Sequence, residues 1–436
     1  MTIALSAGLL ILVTLLLLLL IGVPIGIALI VAAILAISQS LGFSASIPSS
    51  AIKMFQGINI FTLIAIPFFI LAGNIMNRGG IATRLVNLAT AMTGRIPGSL
   101  AHTNVVANML FGSISGSGTA AVTSMGAIMG PIQKKQGYNE NFTAAINIAT
   151  APTGLLIPPS TALITYALAS GGTSIAALFL GGIIPGILWG FSCMIVAYFY
   201  AKQKRYFEKQ TISFREFIKV TLDAIPSLLL IVIVIGGIIG GVFTATEASA
   251  IAVVYSLLLS MLFYKSINFK ELFNILIDSV KLSAIIMFLI GASNILAWVM
   301  SFTGIPQMLA EAVLGISDNP IIILLAINIL LLIVGTFMDL TPAILIFTPI
   351  LLPVCMALGM TPLQFGIMLT FNLSIGMITP PVGNILFSGL KVTNTKLENV
   401  MPHLFKFYGA IFIVLMLITY FSWFSTFIPS MAGLHL

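Results

Sequence analysis

Long apolar runs, cut by short islands of glycine, proline, serine and threonine, are the governing pattern of this chain. About 20 apolar residues carry a helix across a bilayer, at a rise of about 1.5 Å each. Residues 1–40 are nearly all apolar and are interrupted at Gly22-Val23-Pro24, which predicts one span and a second one kinked or broken at the proline. Residues 43–58 are more polar and predict an interfacial segment. A span with Pro67 inside it is predicted at 61–76, then an amphipathic helix at 81–92 with Arg84 on its polar side. Single spans are predicted at 178–200, 224–241, 248–263 and 280–300, and residues 304–315 repeat the amphipathic theme.

Two regions break this rhythm. The apolar limb at 97–110 has about 14 residues, roughly 21 Å of helix, short of the ~30 Å hydrocarbon layer. The island GSISGSGT at 112–119 follows, and the limb after it, 120–132, is equally short. A re-entrant helical hairpin with its tip at 112–119 fits; two ordinary spans with an external loop are the competing arrangement. Residues 140–169 then read as an apolar helix broken at Pro152, Gly154, Pro158 and Pro159.

The pattern recurs. A limb at 319–334, an island at 335–342 (GTFMDLTP) and a limb at 343–356 predict a second hairpin, and SIGMITPPVG at 374–383 a second broken helix. The register is shared: 137 to 158 and 359 to 380 are both 21 residues, and a shift of 222 maps Gly154 onto Gly376 and Pro158-Pro159 onto Pro380-Pro381. Upstream, Gly80-Ile81 maps onto Gly304-Ile305 with a shift of 224. Two copies of one unit follow. Four predicted spans and one hairpin separate the two broken helices, so the second is the fifth crossing onward and runs the opposite way. The sequence thus predicts an all-α polytopic membrane protein with an inverted-topology repeat, two re-entrant hairpins and two broken helices, a plan common among secondary transporters.

Unpaired peptide groups cost several kcal/mol in hydrocarbon, so non-helical backbone at membrane depth belongs in protein or around a water-filled cavity. Each break exposes carbonyls at one half-helix end, suited to Na⁺, and N–H groups at the other, suited to a carboxylate. Ser113, Ser115, Ser117 and Thr119 add uncharged hydroxyls, and the glycines allow close approach to the backbone.

Composition supports the membrane class: 59% of the 436 residues are hydrophobic and 7% charged, against roughly 25% charged in soluble domains. The net charge of +7 does not point to nucleic acid, because six of the eighteen basic residues lie at 202–219 as a cytoplasmic collar. Lys265 and Lys270 form a second basic loop on the same side. The N-terminus lacks a basic stretch before its apolar run and predicts an uncleaved first span. Cys193 and Cys355 lie in apolar segments and read as buried thiols.

Single residues carry less. Asp339 is an ion ligand or a protonatable coupling group on one reading; on the other it structures the tip, where Thr341 before Pro342 has the form of an N-cap. Glu247 reads as a helix N-terminal partner, Asp278 and Lys281 as an interfacial pair one turn apart, and Lys134-Lys135 as snorkelling anchors. His102 has no carboxylate or cysteine cluster near it in sequence. No intramembrane protease or metal motif such as His-Glu-x-x-His occurs, which predicts no enzyme. A channel would build rings by oligomerisation, whereas here the repeats share one chain.

IPFFILAG at 66–73, GSISGS at 112–117, IPPS at 157–160, FTATEA at 243–248, MDLTP at 338–342 and ITPP at 378–381 together resemble the large membrane subunit of tripartite ATP-independent periplasmic (TRAP) transporters. The likeness covers essentially the whole chain; Ala245 departs from it, since many relatives have proline there. The resemblance implies an elevator mechanism, Na⁺ coupling, an inner-membrane location, a separate small membrane subunit of about four helices and a periplasmic substrate-binding protein. It implies one Na⁺ site from Ser113, Ser115 and Ser117 with Gly154 and the carbonyl of Ile157, placed by the 222-residue shift from Thr379. The other would use Gly335, Thr336, Gly376 and Thr379. Substrate positions would be Thr119, Pro158, Ser160, Asp339, Thr341, Pro380 and Asn384. Dicarboxylate members often carry a glutamate near the places of Ser374 or Thr341, so the tip and break here are more similar to members moving sialic acid or other sugar acids. A C4-dicarboxylate carrier and a self-sufficient Na⁺/carboxylate symporter are the alternatives. The implied organisation is scaffold helices at 1–60, a span and arm helix at 61–96, transport region 1 at 97–170, scaffold at 171–286, a second arm at 287–317, transport region 2 at 318–392 and a C-terminal helix at 393–436.

Overall fold

A computed structural model describes residues 2–204, 206, 213–315 and 319–434. Residues 205 and 207–212 of the predicted basic loop, and 316–317 at the end of the predicted second arm, lie outside the described residues.

Every described element is a helix, and nine of the helices among the described residues are long and apolar enough to cross a membrane. The first two, α1 (Thr2–Leu20) and α2 (Ile25–Leu41), part at Gly22–Pro24, where proline can open a helix but not continue one. The predicted interfacial segment is α3 (Phe43–Ile58). A 3-10 turn at Phe61–Ile64 leads into α4 (Ala65–Arg78), and the amphipathic α5 (Ile81–Thr93) follows.

The first hairpin is α6 (Ser99–Ser115) and α7 (Gly118–Lys135); the first broken helix is α8 (Glu140–Thr150) and α9 (Thr161–Ala169), joined through a 3-10 turn at Ala151–Leu155. Then come α10 (Ile175–Lys204), α11 (Phe214–Ile239), α12 (Ala245–Leu257) with a π turn to Phe263, α13 (Phe269–Thr303) and α14 (Ile305–Leu314). The second hairpin is α15 (Pro320–Phe337) and α16 (Leu340–Ala357), and the second broken helix α17 (Pro362–Gly376) and α18 (Asn384–Thr393). The C-terminal region, expected as one helix, is two: α19 (Leu397–Tyr420) and α20 (Trp423–Met431), parted where Phe421 turns extended.

The broken helices are the core. Every residue from Leu363 to Gly376 in α17 is buried, as is every residue from Phe142 to Thr150 in α8. By contrast only 11% of the α1 span and 22% of the α11 span are buried, which leaves their leucines and isoleucines for lipid.

Both hairpin tips are narrower than the islands that announced them. α6 runs helically through Ser115 and ends on Gly116 with φ +60°, leaving only Gly116-Ser117 between the limbs. Ser113 Oγ donates to Leu110 O at 2.8 Å, so the serines support the helix rather than open it. The second tip is Met338-Asp339, and the N-cap of α16 is Asp339, not Thr341, because the Asp339 carboxylate accepts the Leu340 N–H at 3.0 Å.

Two charged pairs differ from the local reading. Asp278 pairs with Arg78 at 2.6 Å rather than with Lys281, since the end of α4 lies against α13. Lys134 reaches Glu140 at 2.7 Å. Glu247 closes a capping box with Thr244, accepting its N–H at 2.8 Å, the helix-terminal role expected of it. Arg84 on α5 is held three ways: to Asp223 at 3.3 Å, to the Gly80 carbonyl at 2.8 Å, and over the Tyr264 ring at 3.6 Å. Exposed ion pairs contribute about 0–1 kcal/mol and cation–π contacts about 0.5–2. The thermal midpoint in detergent is therefore expected to fall further for Arg84→Ala than for Arg78→Ala, whose pair is half-exposed.

Candidate functional site

Each broken helix crosses the first limb of its hairpin at a pair of glycines. A methyl group built on Gly154 would fall on the backbone of Gly112, and one on Gly376 on the backbone of Gly335. Main chain thus lies against main chain, with no room for a side chain between. Beyond each crossing the backbone leaves the helix and passes a cis peptide bond, Pro158–Pro159 in one case and Pro380–Pro381 in the other.

Between the two units lies a cleft of about 210 Å³. The first tip supplies Ser115, Ser117 and Thr119, the second Asp339 and Thr341, and the breaks Thr161, Met377 and Asn384. The opposite wall comes from α4, with Ile70, Gly73, Asn74 and Asn77, and from α13, with Leu282 and Ile286. Its polar lining is hydroxyls, side-chain amides and one carboxylate; among the described residues no lysine, arginine or histidine lines it. Helices α7 and α16 start at its edge, capped by Ser117 and Asp339, so two positive helix ends face the space.

Twelve of the sixteen predicted site residues fall into three groups, and four lie outside them. Ser115, Ser117, Thr119, Asp339, Thr341 and Asn384 meet in the cleft. Thr336 and Thr379 line a separate apolar groove with Phe337, Phe405 and Tyr408. Gly154, Gly335 and Gly376 lie at the crossings, with Ser113 buried one residue beyond Gly112. Ile157 packs its side chain on Gly186 of α10, and Pro158 and Pro380 are not among the cleft residues. Ser160 is buried as the N-cap of α9 and donates to Leu155 O, so its hydroxyl is committed to the chain and not to the cleft.

Near each crossing stand hydroxyls with free acceptor capacity. Ser113, Thr336 and Thr379 each spend their proton on a carbonyl three or four residues back, at 2.7–2.8 Å, which leaves the oxygen lone pairs as acceptors. Uncharged oxygens beside interrupted helix ends are the ligand chemistry of Na⁺ sites in carriers.

The sequence reading missed the α4 wall. Asn74 donates to Ser279 Oγ at 2.8 Å, and Asn77 accepts from Ser124 Oγ of the first hairpin at 2.9 Å. Two asparagines three residues apart in an apolar span were the available signal.

An all-helical, many-span protein built around a polar cleft between interrupted helices belongs to the carriers in class. The chain belongs to the family described as "Tripartite ATP-independent periplasmic transporter, DctM component", which its sequence matches over residues 12–424. It is thus a multi-pass protein of the inner membrane, in a family of transporter permeases. It is 52% identical to YgiK of Salmonella typhimurium, over 94% of each chain. Against the sialic acid TRAP transporter large permease SiaM of Vibrio cholerae the identity is 37% over 94% of each chain. Against the C4-dicarboxylate TRAP large permease DctM of Vibrio cholerae it is 36%, over 94% of this chain and 95% of the relative. The crystal structure of the Alcanivorax borkumensis YdaH transporter shares the fold, with TM-score 0.62 and 14% identity over 88% of this chain and 90% of that one.

Proposed function

We propose that this chain is the large subunit of a Na⁺-coupled importer that takes an organic acid from a periplasmic binding protein and works with a small membrane subunit of about four helices. The observation that carries the reading is the cleft, where two hairpin tips and two helix breaks face a wall formed by α4 and α13. On this reading the hairpins and broken helices form an inverted repeat that moves as one body past the remaining helices, in an elevator mechanism. The Ser124–Asn77 hydrogen bond between hairpin and wall is then a contact made in one end state and released in the other.

The substrate proposed first is a hydroxylated monoanion, sialic acid or another sugar acid. Hydroxyl and amide groups match a polyol, the helix ends at Ser117 and Asp339 favour one carboxylate, and Asp339 with no cationic neighbour in the cleft among the described residues disfavours a dianion. Size favours the second reading, a C4-dicarboxylate: 210 Å³ holds about seven waters at ~30 Å³ each.

Reconstitution with both partners in proteoliposomes tests this. Uptake is expected to require an inward Na⁺ gradient and the binding protein, with unlabelled sialic acid competing better than succinate. Uptake driven equally well by K⁺ removes the coupling, uptake without the binding protein indicates a self-sufficient symporter, and stronger competition by succinate selects the dicarboxylate reading.

A further inference from the structure

Each hairpin is tied to its broken helix by a pair of asparagines with zero exposure, deep among apolar helices. In the first unit Asn108 of α6 donates from Nδ2 to Asn147 Oδ1 of α8 at 3.1 Å, and to Thr150 Oγ1 at 2.8 Å. Asn147 in turn donates to Val122 O on α7 at 2.7 Å, so one side chain holds both limbs. In the second unit Asn372 of α17 donates to Asn328 of α15, at 2.7 Å to Oδ1 and 3.0 Å to the carbonyl. Asn328 also donates to Thr419 Oγ1 of α19 at 3.2 Å.

The spacing to the glycine crossings is reciprocal. Asn108 lies four residues before Gly112 and Asn147 seven before Gly154; Asn372 lies four before Gly376 and Asn328 seven before Gly335. Each crossing therefore has a hydrogen-bonded tie one to two turns away along both helices. In both units the donor's own Oδ1, on Asn108 and on Asn372, accepts no hydrogen bond among the described residues. The orphaned oxygens offset part of what these hydrogen bonds contribute, whereas an apolar pair of similar size would leave none. The ties do fix register: sliding either helix by one residue moves an amide about 1.5 Å and turns it away by about 100°.

We propose that the Asn108–Asn147 and Asn328–Asn372 pairs are positioning residues for the cation sites at the two helix breaks, setting the height at which each hairpin limb crosses its broken helix without touching the ion. This inference rests on the Na⁺-coupled reading above. A slip at the tie would displace the carbonyls and hydroxyls beyond the crossing, and a misplacement of about 1 Å can cost a hundredfold in a site's performance.

The test uses the complex with its small subunit, carrying Asn108→Leu/Asn147→Leu or Asn328→Leu/Asn372→Leu. Leucine is close in size and leaves no buried amide, so folding is expected to persist, and the milder single change Asn147→Ser serves if a double variant does not insert. Two quantities are read: the Na⁺ concentration giving half-maximal thermal stabilisation of the purified complex, and the half-saturating Na⁺ for uptake with the binding protein. Both are expected to rise about tenfold for each variant, with the midpoint without Na⁺ unchanged and uptake at saturating Na⁺ within about twofold of the parent. Unchanged Na⁺ midpoints, or a loss that only tracks the amount of folded protein, overturn the positioning role while leaving Na⁺ coupling in place. A parent complex that responds to neither Na⁺ nor its gradient overturns the coupling itself, and this inference with it.

Discussion

Gly376→Ala and Gly154→Ala are expected to abolish most Na⁺-driven uptake. At each position the new methyl meets backbone atoms of the opposing glycine, and backbone cannot rotate away as a side chain can. Overpacking a filled site costs about 1–3 kcal/mol, and each 1.4 kcal/mol is about tenfold in an equilibrium. A loss of about ten- to a hundredfold in uptake at fixed Na⁺ follows if the strain is relieved by parting the hairpin limb from the break. The reverse substitutions are graded. A methyl on Gly335 would stand 3.2 Å from Gly376 Cα, whereas one on Gly112 would stand 2.7 Å from Gly154 Cα. Gly335→Ala is therefore expected to be the mildest of the four. Gly236→Ala in α11 is the control, since nothing lies within 4 Å of that position, and helix propensity there favours alanine. Proteoliposome uptake, normalised to inserted protein, decides the matter; Gly376→Ala uptake equal to that of Gly236→Ala would remove the crossing from the transport path.

The crossings also show which parts of the fold could be read in advance. Proline and glycine mark breaks through local backbone constraints, so the interruptions at Pro24, at 151–160 and at 377–383 stand where the sequence placed them. The width of the tips was not local information. A run such as GSISGSGT has coil-like composition, yet burial makes every peptide group seek a partner, and helix is the nearest supply. Helix therefore extends through Ser115 on one side and from Gly118 on the other. Partners far apart in sequence were invisible as well. Nothing near Asp278 announces Arg78, and nothing near Asn147 announces Asn108. The cleft was half legible: its tips were visible as polar islands, but its α4 wall lay inside an ordinary apolar span.

Asp339→Asn is expected to raise the half-saturating Na⁺ for uptake by about tenfold or more while leaving the start of α16 intact. The carboxylate does two things in the structure: it accepts the Leu340 N–H at 3.0 Å, and it stands exposed in the cleft as the one charged group there among the described residues. Asparagine is as good an N-cap as aspartate, so this substitution keeps the first role and removes the second. Two opposite unit charges ~8 Å apart attract by about 2 kcal/mol at an effective dielectric of ~20, a factor of roughly thirty in cation affinity. Asp339→Ala removes both roles and adds about 1 kcal/mol of lost capping, so its thermal midpoint falls where that of Asp339→Asn does not. The pair of variants separates the two readings of this residue. If Asp339→Asn takes up substrate with the parent's Na⁺ dependence and only Asp339→Ala fails, the carboxylate is a cap and the cation sites draw on uncharged oxygens alone. If both raise the Na⁺ requirement together, the charge at the second tip offsets the cation that accompanies the substrate through the cleft.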